Sequence, residues 1–175
     1  MKELMQLKDI LTKERPASWE EFPDIGLYKD QVVTYVSRQL ISFNDEDSLT
    51  SSMINNYIKD KLLPRADGKK YSKEHLASLI EICILKQALP VRDIGFLLHQ
   101  AGEESDPELF YKKFIEDVDL SLTQVAEQIE IDWNVQDLAD IALRMAISSY
   151  CYKIVCERLI EIIRSSTTAQ KVEDT

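Results

Sequence analysis

The amino-acid sequence predicts an all-α protein with a small β-hairpin wing, and two observations support this fold class. Glycine and proline are scarce among the 175 residues, at 4 and 5, whereas residues that favour helices are plentiful. Apolar residues recur at helical spacing in successive segments along the chain. The exception is the pair Asp67-Gly68, which predicts a tight hairpin because glycine readily adopts a positive φ.

The predicted helices follow one another with short connections. They cover residues 2–14, 30–43, 50–61, 72–88, 91–100, 105–129 and 135–164. The segment 17–27 is expected to be irregular and to be held on the core by Trp19, Phe22, Ile25 and Leu27. In the helix over 105–129, the stripe predicted to face inward includes Leu109 and Val125.

Residues 49–71 combine a short helix with a basic hairpin. Thr50 is a suitable N-cap because its hydroxyl can accept a hydrogen bond from a free amide of the first turn. Pro64 ends the helix. A polar helix face followed by a basic hairpin suits a helix that reads a DNA groove beside a wing that holds phosphate. The candidate DNA-binding residues are Thr50, Ser51, Ser52, Asn55, Asn56, Lys59, Lys61, Arg65, Lys69, Lys70 and Tyr71.

The two neighbouring asparagines, Asn55 and Asn56, are the candidate base contacts. An asparagine side chain can pair with N6 and N7 of adenine, which is worth about 1–3 kcal/mol of discrimination. The alternative is that they only solvate a helix face or cap it.

Charge is distributed unevenly along the chain. The formal net charge of −10 argues against a non-specific nucleic-acid binder. Residues 50–90 nevertheless carry +3, whereas residues 101–175 carry −9. A DNA-binding surface would therefore use the basic segment, with the acidic part of the chain facing away. Chance would also give an excess of this size, so both interpretations stay open here.

The last predicted helix carries a heptad seam of residues alternately three and four apart. The seam consists of Leu138, Ile141, Met145, Ser148, Tyr152, Val155, Leu159 and Ile162. A second face consists of Ala142, Ser149, Cys156 and Ile163. Two interpretations are open: a central helix covered by the rest of the chain, or a helix that also forms a dimer interface.

No pattern in the sequence indicates catalysis or metal binding, so we expect neither an enzyme nor a cofactor. Cys151 and Cys156 lie about 140° apart on a helix and cannot chelate one ion together. With Cys83, they are expected to be buried free thiols. His75 is expected on a helix surface beside the wing. There is no Gly-rich phosphate loop, nucleophile elbow or HExxH pattern.

Two further expectations concern the location of the protein and the binding of a small molecule. No apolar run is long enough to cross a membrane, and the N-terminus has no signal-peptide core, so we expect a cytoplasmic protein. Aromatic residues in the C-terminal half either pack in the core or line an effector pocket. They are Tyr111, Trp133, Tyr150 and Tyr152.

The middle of the chain resembles a known class of regulators. The stretches LTSSMINNYIKDKLLP, KKYSKEHLASLIEI and LPVRDIGFLL follow in an order similar to the DNA-binding half of MerR-type transcription regulators. With FPDIGLYKDQV upstream, residues 19–120 resemble still more a bacterial MerR-like family catalogued as a domain of unknown function. The resemblance implies a winged helix-turn-helix fold and transcriptional control, usually by a dimer on double-stranded DNA.

The resemblance also assigns roles to single positions. Thr50 takes the place of the helix-capping serine, Tyr57 of the helix aromatic, and Tyr71 of the wing-closing tyrosine. Lys69 takes the place of a wing arginine that holds phosphate. The family's phosphate-binding arginine in the recognition helix is replaced by Asn55.

A second departure is the longer link before the Thr50 helix, with its three carboxylates Asp45, Glu46 and Asp47. A carboxylate near the phosphate backbone costs affinity unless it points away.

The sequence therefore predicts four parts. They are an N-terminal helix (1–18), a winged helix-turn-helix domain (19–100), a helical dimerisation or cap region (105–165) and a flexible tail (166–175). The predicted function is sequence-specific DNA binding as a transcription regulator. The alternative is a protein–protein adaptor that keeps the fold without binding DNA, which the net charge and the missing arginine favour.

Overall fold

The computed structural model describes residues 2–41, 43, 48–102 and 105–173, with side chains as far as residue 167, and it is mostly helical. This part of the chain contains seven α-helices, one 3₁₀ turn and one two-stranded antiparallel sheet. The prediction of a helical protein with a small β element is therefore confirmed. The helices are α1 Lys2–Lys13, α2 Lys29–Ser37, α3 Ser51–Lys59, α4 Lys73–Leu85, α5 Val91–Gly102, α6 Pro107–Glu127 and α7 Leu138–Glu173.

The sheet joins two segments that are far apart in sequence. Its strands are β1 Leu27–Tyr28 and β2 Lys70–Tyr71, and Leu27 lies opposite Tyr71. The 3₁₀ turn, Trp19–Glu21, comes before β1. The sheet therefore ties the segment before α2 to the segment before α4.

Helix α4 lies at the centre of the core. It packs against α2, α5, α6 and β2, and its inward residues are almost fully buried. These residues are Leu76, Ala77, Leu79, Ile80, Ile82 and Cys83. Helix α1 packs on α6, where Lys8 Nζ donates to the Ile129 carbonyl at 2.8 Å and Arg15 pairs with Asp119.

Helix α6 is less buried than its apolar pattern predicts. Leu109 is 66% exposed and Val125 is 43% exposed, so the prediction that both face inward is wrong. The neighbours of α6 are α1, α4 and the 3₁₀ turn, and they leave these two positions uncovered. Ile25, expected to hold the irregular segment, is also exposed, whereas Phe22 is buried there.

Helix α7 extends further than predicted, to Glu173. The hydroxyls of Ser165, Ser166 and Thr167 donate to carbonyl oxygens four residues earlier, at 2.9, 3.0 and 3.0 Å. Residues that usually favour turns are therefore satisfied inside the helix. Of the described residues of α7, only Ile141 and Ile160 are buried. The interpretation as a central core helix is therefore wrong for the single chain.

The C-terminal half of helix α7 packs against the rest of the molecule. Arg164 Nη2 donates to Asp93 Oδ1 of α5 at 2.7 Å, and its guanidinium lies 4.7 Å from the Phe96 ring centroid. Ile160 belongs to the core cluster, and Cys156 packs against it. Within the described part of the chain, no helix is both long and apolar enough to cross a membrane.

Candidate nucleic-acid interface

Helix α3 is oriented by one cap and two buried side chains. The hydroxyl of Thr50 accepts a hydrogen bond from Met53 N at 3.2 Å, so the predicted N-cap is confirmed. Ile54 and Tyr57 are buried in the core cluster. Because residues three and four apart share a helix face, this burial turns the polar residues outward. Ser52, Asn55, Asn56 and Lys59 are all exposed.

The C-terminus of α3 closes in a left-handed cap. Leu62 N donates to Tyr57 O at 2.8 Å and Lys61 N donates to Ile58 O at 3.2 Å, which is the Schellman pattern. Lys61 has a φ of 60°, a conformation in which glycine is usual. Leu63 is buried after it. The chain therefore turns sharply from α3 towards the basic turn, which we define as residues 65–71.

The basic turn is tight, as its Asp-Gly pair predicts. Asp67 N donates to Lys70 O at 3.1 Å and Lys70 N donates to Asp67 O at 2.9 Å. Gly68 is the first central residue and has a φ of 61°, as a type II′ turn requires. Apart from the Asp67–Lys70 bridge that closes the turn, β2 pairs with β1 and not with the segment before the turn. The predicted hairpin is therefore limited to its turn.

Gly26 and His75 hold the basic turn in place. A Cβ at Gly26 would lie 2.8 Å from Lys70 Cβ, so only glycine allows β1 and β2 to come this close. His75 is buried, which makes the prediction of a surface histidine wrong. Its Nδ1 accepts from Ser72 N at 3.1 Å, and its Nε2 lies 3.3 Å from the Arg65 carbonyl oxygen. The imidazole thus bridges the two ends of the turn.

A chain of contacts connects the polar face of α3 with the basic turn. Lys29 Nζ donates to Asn55 Oδ1 at 2.6 Å. Tyr28 precedes Lys29, and Lys70 Nζ lies 5.9 Å from the Tyr28 ring centroid. We call this continuous surface, formed by Tyr28, Lys29, the exposed face of α3 and the basic turn, the α3–turn surface. Sequence reasoning missed Lys29 because it is 26 residues from its partner.

Most of the predicted DNA-binding residues are exposed on this surface. They are Thr50, Ser52, Asn55, Asn56, Lys59, Lys61, Arg65, Lys69 and Lys70. Ser51 is half-buried. Tyr71 is only 3% exposed and belongs to the core cluster, so the prediction that it contacts DNA is wrong. Its ring packs edge-on against His75, with centroids 5.4 Å apart, and therefore supports the turn from behind.

The side chains of Asn55 and Asn56 differ in their hydrogen bonds. The Asn55 side-chain oxygen already accepts from Lys29, so one of its two acceptor positions is occupied. Among the described residues, none forms a hydrogen bond with the Asn56 side chain, which is exposed. Asn56 is therefore the less engaged of the two side chains, while Asn55 binds a lysine.

The other candidate groups are not brought together. Cys83 is buried as predicted, but Cys151 is exposed and Cys156 is partly buried; all three are free thiols. Tyr111 is buried and donates to the Ala17 carbonyl at 2.8 Å, whereas Tyr150 and Tyr152 are exposed on α7. These tyrosines therefore do not line one pocket. In the described residues, no group of three metal-binding side chains occurs. The acidic link with Asp45, Glu46 and Asp47 lies outside the described residues.

Comparisons with known proteins give one match. A family model described as a domain of unknown function, DUF1836, matches residues 17–114, which run from the end of the N-terminal segment into α6. No curated protein and no solved structure matches the chain.

Proposed function

The chain belongs to the DUF1836 family, and we propose that it is a sequence-specific DNA-binding transcription regulator that acts as a dimer. The observation that carries the proposal is the α3–turn surface. It presents the polar face of a capped helix beside a tight turn that bears three cations, Arg65, Lys69 and Lys70. A helix that can enter a groove, next to cations that can hold phosphate, is the arrangement used by helix-turn-helix proteins with a wing.

In this proposal, α2 and α3 form a helix-turn-helix and the basic turn is its wing, as in MerR-type regulators. Helix α3 lies in the major groove, where Asn56 and Ser52 are placed to contact base edges. Lys29, Lys69 and Lys70 contact phosphate along the neighbouring backbone. Lys29 thereby takes over part of the role of the arginine that the resemblance leads one to expect at Asn55.

The dimer in this proposal is formed by α7. Five large apolar side chains of the seam are 40–79% exposed: Met145, Tyr152, Val155, Leu159 and Ile162. At roughly 100 Å² each, they would remove about 500 Å² per chain from water, the larger part of the ~800 Å² per partner of a standard interface. A second copy of the chain is the partner that a heptad seam best fits, and a two-fold dimer places two α3 helices on two half-sites.

DNA binding is tested by its dependence on salt. Genomic fragments enriched on the full-length protein at low salt are assayed by mobility shift across a salt series. The combined change Lys69→Ala and Lys70→Ala is expected to weaken binding and to reduce the slope of log K against log salt by about 2, since each phosphate contact contributes about 0.9. The matched control is Lys2→Ala with Lys113→Ala, two exposed lysines outside the surface.

Two other outcomes of this assay would contradict the proposal. An equal loss of slope in the control pair would place the phosphate contacts elsewhere. Absence of any shift at low salt would reject the DNA-binding proposal and favour the protein–protein adaptor.

A further inference from the structure

A wide groove runs between the end of α3 and helix α5. Its floor is apolar and is formed by Ile58, Leu62, Val91 and Phe96. A Cβ at Gly95 would lie 3.1 Å from Leu62 Cδ1, so a glycine here lets Leu62 lie directly on α5 and makes the floor continuous. The volume, about 1370 Å³, exceeds the roughly 300–1,000 Å³ of small-molecule sites. The groove therefore suits a segment of a macromolecule.

The rim of the groove is cationic. Lys59, Lys61, Arg65 and Arg92 line it, and Asp60 is the only acidic residue among the described residues that do so. Among the described residues, none forms an ion pair or a hydrogen bond with the charged group of any of these four cations. Although the protein has a net charge of −10, no described carboxylate other than that of Asp60 lines this rim. Its charges are available to an anionic partner.

Lys61 occupies its rim position at the expense of backbone strain. A left-handed conformation is unfavourable for a non-glycine residue, and Lys61 adopts one with φ 60° at a helix end where glycine is the common choice. Strain of this kind is typical of positions with a functional role. A glycine at this position would relieve the strain but would remove a cation from the rim. We infer that the charge of Lys61 is the functional reason for the strained backbone.

We propose that this groove binds an acidic amphipathic helix of a partner protein. The apolar stripe of that helix lies on the floor at Val91 and Phe96, and its carboxylates pair with the rim. Duplex DNA suits the groove less well, because phosphates and base edges offer no apolar ridge to cover the floor. Lys59, Lys61 and Arg65 also belong to the α3–turn surface, so a bound acidic helix and bound DNA would exclude each other.

The first test measures binding of a model helix to the full-length protein. The probe is a fluorescein-labelled peptide of about 16 residues, with leucine at i, i+3, i+4 and i+7 spacing and glutamate elsewhere; a scrambled peptide of equal composition is the control. Fluorescence anisotropy is expected to show binding of the patterned peptide at least tenfold tighter. Val91→Glu is expected to weaken it at least tenfold. Val125→Glu, an exposed valine on α6 outside the groove, should leave it unchanged.

The second test uses Lys61→Gly, for which folding and binding should change in opposite directions. Removal of the left-handed lysine is expected to raise the midpoint of urea unfolding, while loss of the cation weakens the patterned peptide about three- to tenfold. Unchanged peptide binding in the stabilised variant would overturn the role of Lys61.

Two further results would overturn the proposal as a whole. One is equal affinity for the patterned and scrambled peptides. The other is binding of DNA in the groove instead of the peptide. In that case Val91→Glu would weaken binding of a DNA duplex, and the peptide would not bind. Both leave the DNA-binding proposal intact, because its own test depends on Lys69 and Lys70, which do not line the groove.

Discussion

Many apolar residues are buried in the region from Ala17 to Gly102, whereas most apolar residues of helix α7 are exposed. In the first region, α4 packs against α2, α5 and β2, and the inward positions of these elements are buried. In α7, apolar side chains point outward on two sides, and only Ile141 and Ile160 of the described residues are buried. The comparison teaches that an apolar pattern shows where burial is needed but not which chain supplies it.

Helix α7 also carries more apolar surface than its heptad seam. Leu143, Ile147, Tyr150 and Ile154 are exposed and are spaced four, three and four residues apart, which makes a second stripe. The second face predicted from the sequence, with Ala142 and Ser149, is a different one. One partner helix covers one stripe, so the two stripes can be compared directly by mutation.

The largest effect is expected from charges on the seam. Met145→Glu with Val155→Glu should convert the proposed dimer to a monomer, because carboxylates buried without a partner are strongly disfavoured. Light scattering measures the mass. Ile147→Glu with Ile154→Glu, at similar exposure on the second stripe, should leave the dimer intact. An unchanged mass in the first variant would exclude the seam as the interface.

A smaller effect is expected from the same kind of deletion in each region. Ile80→Ala, at a fully buried position of α4, should lower the free energy of unfolding by about 2–5 kcal/mol. Ile147→Ala, at a position of α7 that is 53% exposed, should change it by less than about 0.5 kcal/mol. Both are measured by urea denaturation in the Met145→Glu, Val155→Glu background. Similar losses would mean that α7 packs on its own chain.

The buried carboxyl of Glu81 on α4 makes the core sensitive to pH. Burial raises the pKa of this carboxyl from 4.5 to about 7. The folded protein therefore holds the proton more tightly than the unfolded chain, so stability is greatest below about pH 4.5 and falls as the pH rises through about 7. Glu81→Gln should remove this fall and raise the free energy of unfolding at pH 8 by about 3 kcal/mol, since a pKa shift of one unit corresponds to about 1.36 kcal/mol.

The readout for Glu81 is the difference in unfolding free energy between pH 5 and pH 8. That difference should shrink in Glu81→Gln. Glu116→Gln, an exposed position of α6, should keep the wild-type difference. A wild-type protein with no such difference would contradict the shifted pKa.

The smallest effect is expected at the start of α3. Thr50→Ala removes the cap on Met53 N and should cost about 1 kcal/mol. Ser52→Ala, on the exposed face of the same helix, should stay within about 0.5 kcal/mol. Thermal unfolding of both variants gives the comparison. Equal effects would show that the cap contributes no more than a surface hydroxyl.

Local features of the fold were predictable from the sequence. Thr50 caps α3, Asp106 accepts from Glu108 N and Leu109 N at the start of α6, and Gly68 occupies the turn. Each depends on residues within four positions, so the sequence displays both partners together. The exposed polar face of α3 was predictable for the same reason, since helical spacing separates it from Ile54 and Tyr57.

Contacts between distant segments were not predictable in this way. The pairing of β1 with β2, the bond from Lys29 to Asn55 and the burial of His75 against the turn all join residues that no local pattern associates. The prediction for Tyr71 was wrong because a strand residue beside a basic turn faces either side, and only the packing of α4 beneath it determines which.

The sequence by itself determined the order of the helices, the caps at Thr50 and Asp106, the tight turn and the segment that carries the positive charge. Hydrogen bonds within one turn and the periodicity of apolar residues are local, and they are encoded in neighbouring residues. Only the tertiary structure decided that the α3 face, Lys29 and the basic turn form one surface, that a cationic rim surrounds an apolar floor, and that α7 stays uncovered. These outcomes depend on which elements meet around α4, and that choice is made by the packing of the whole core.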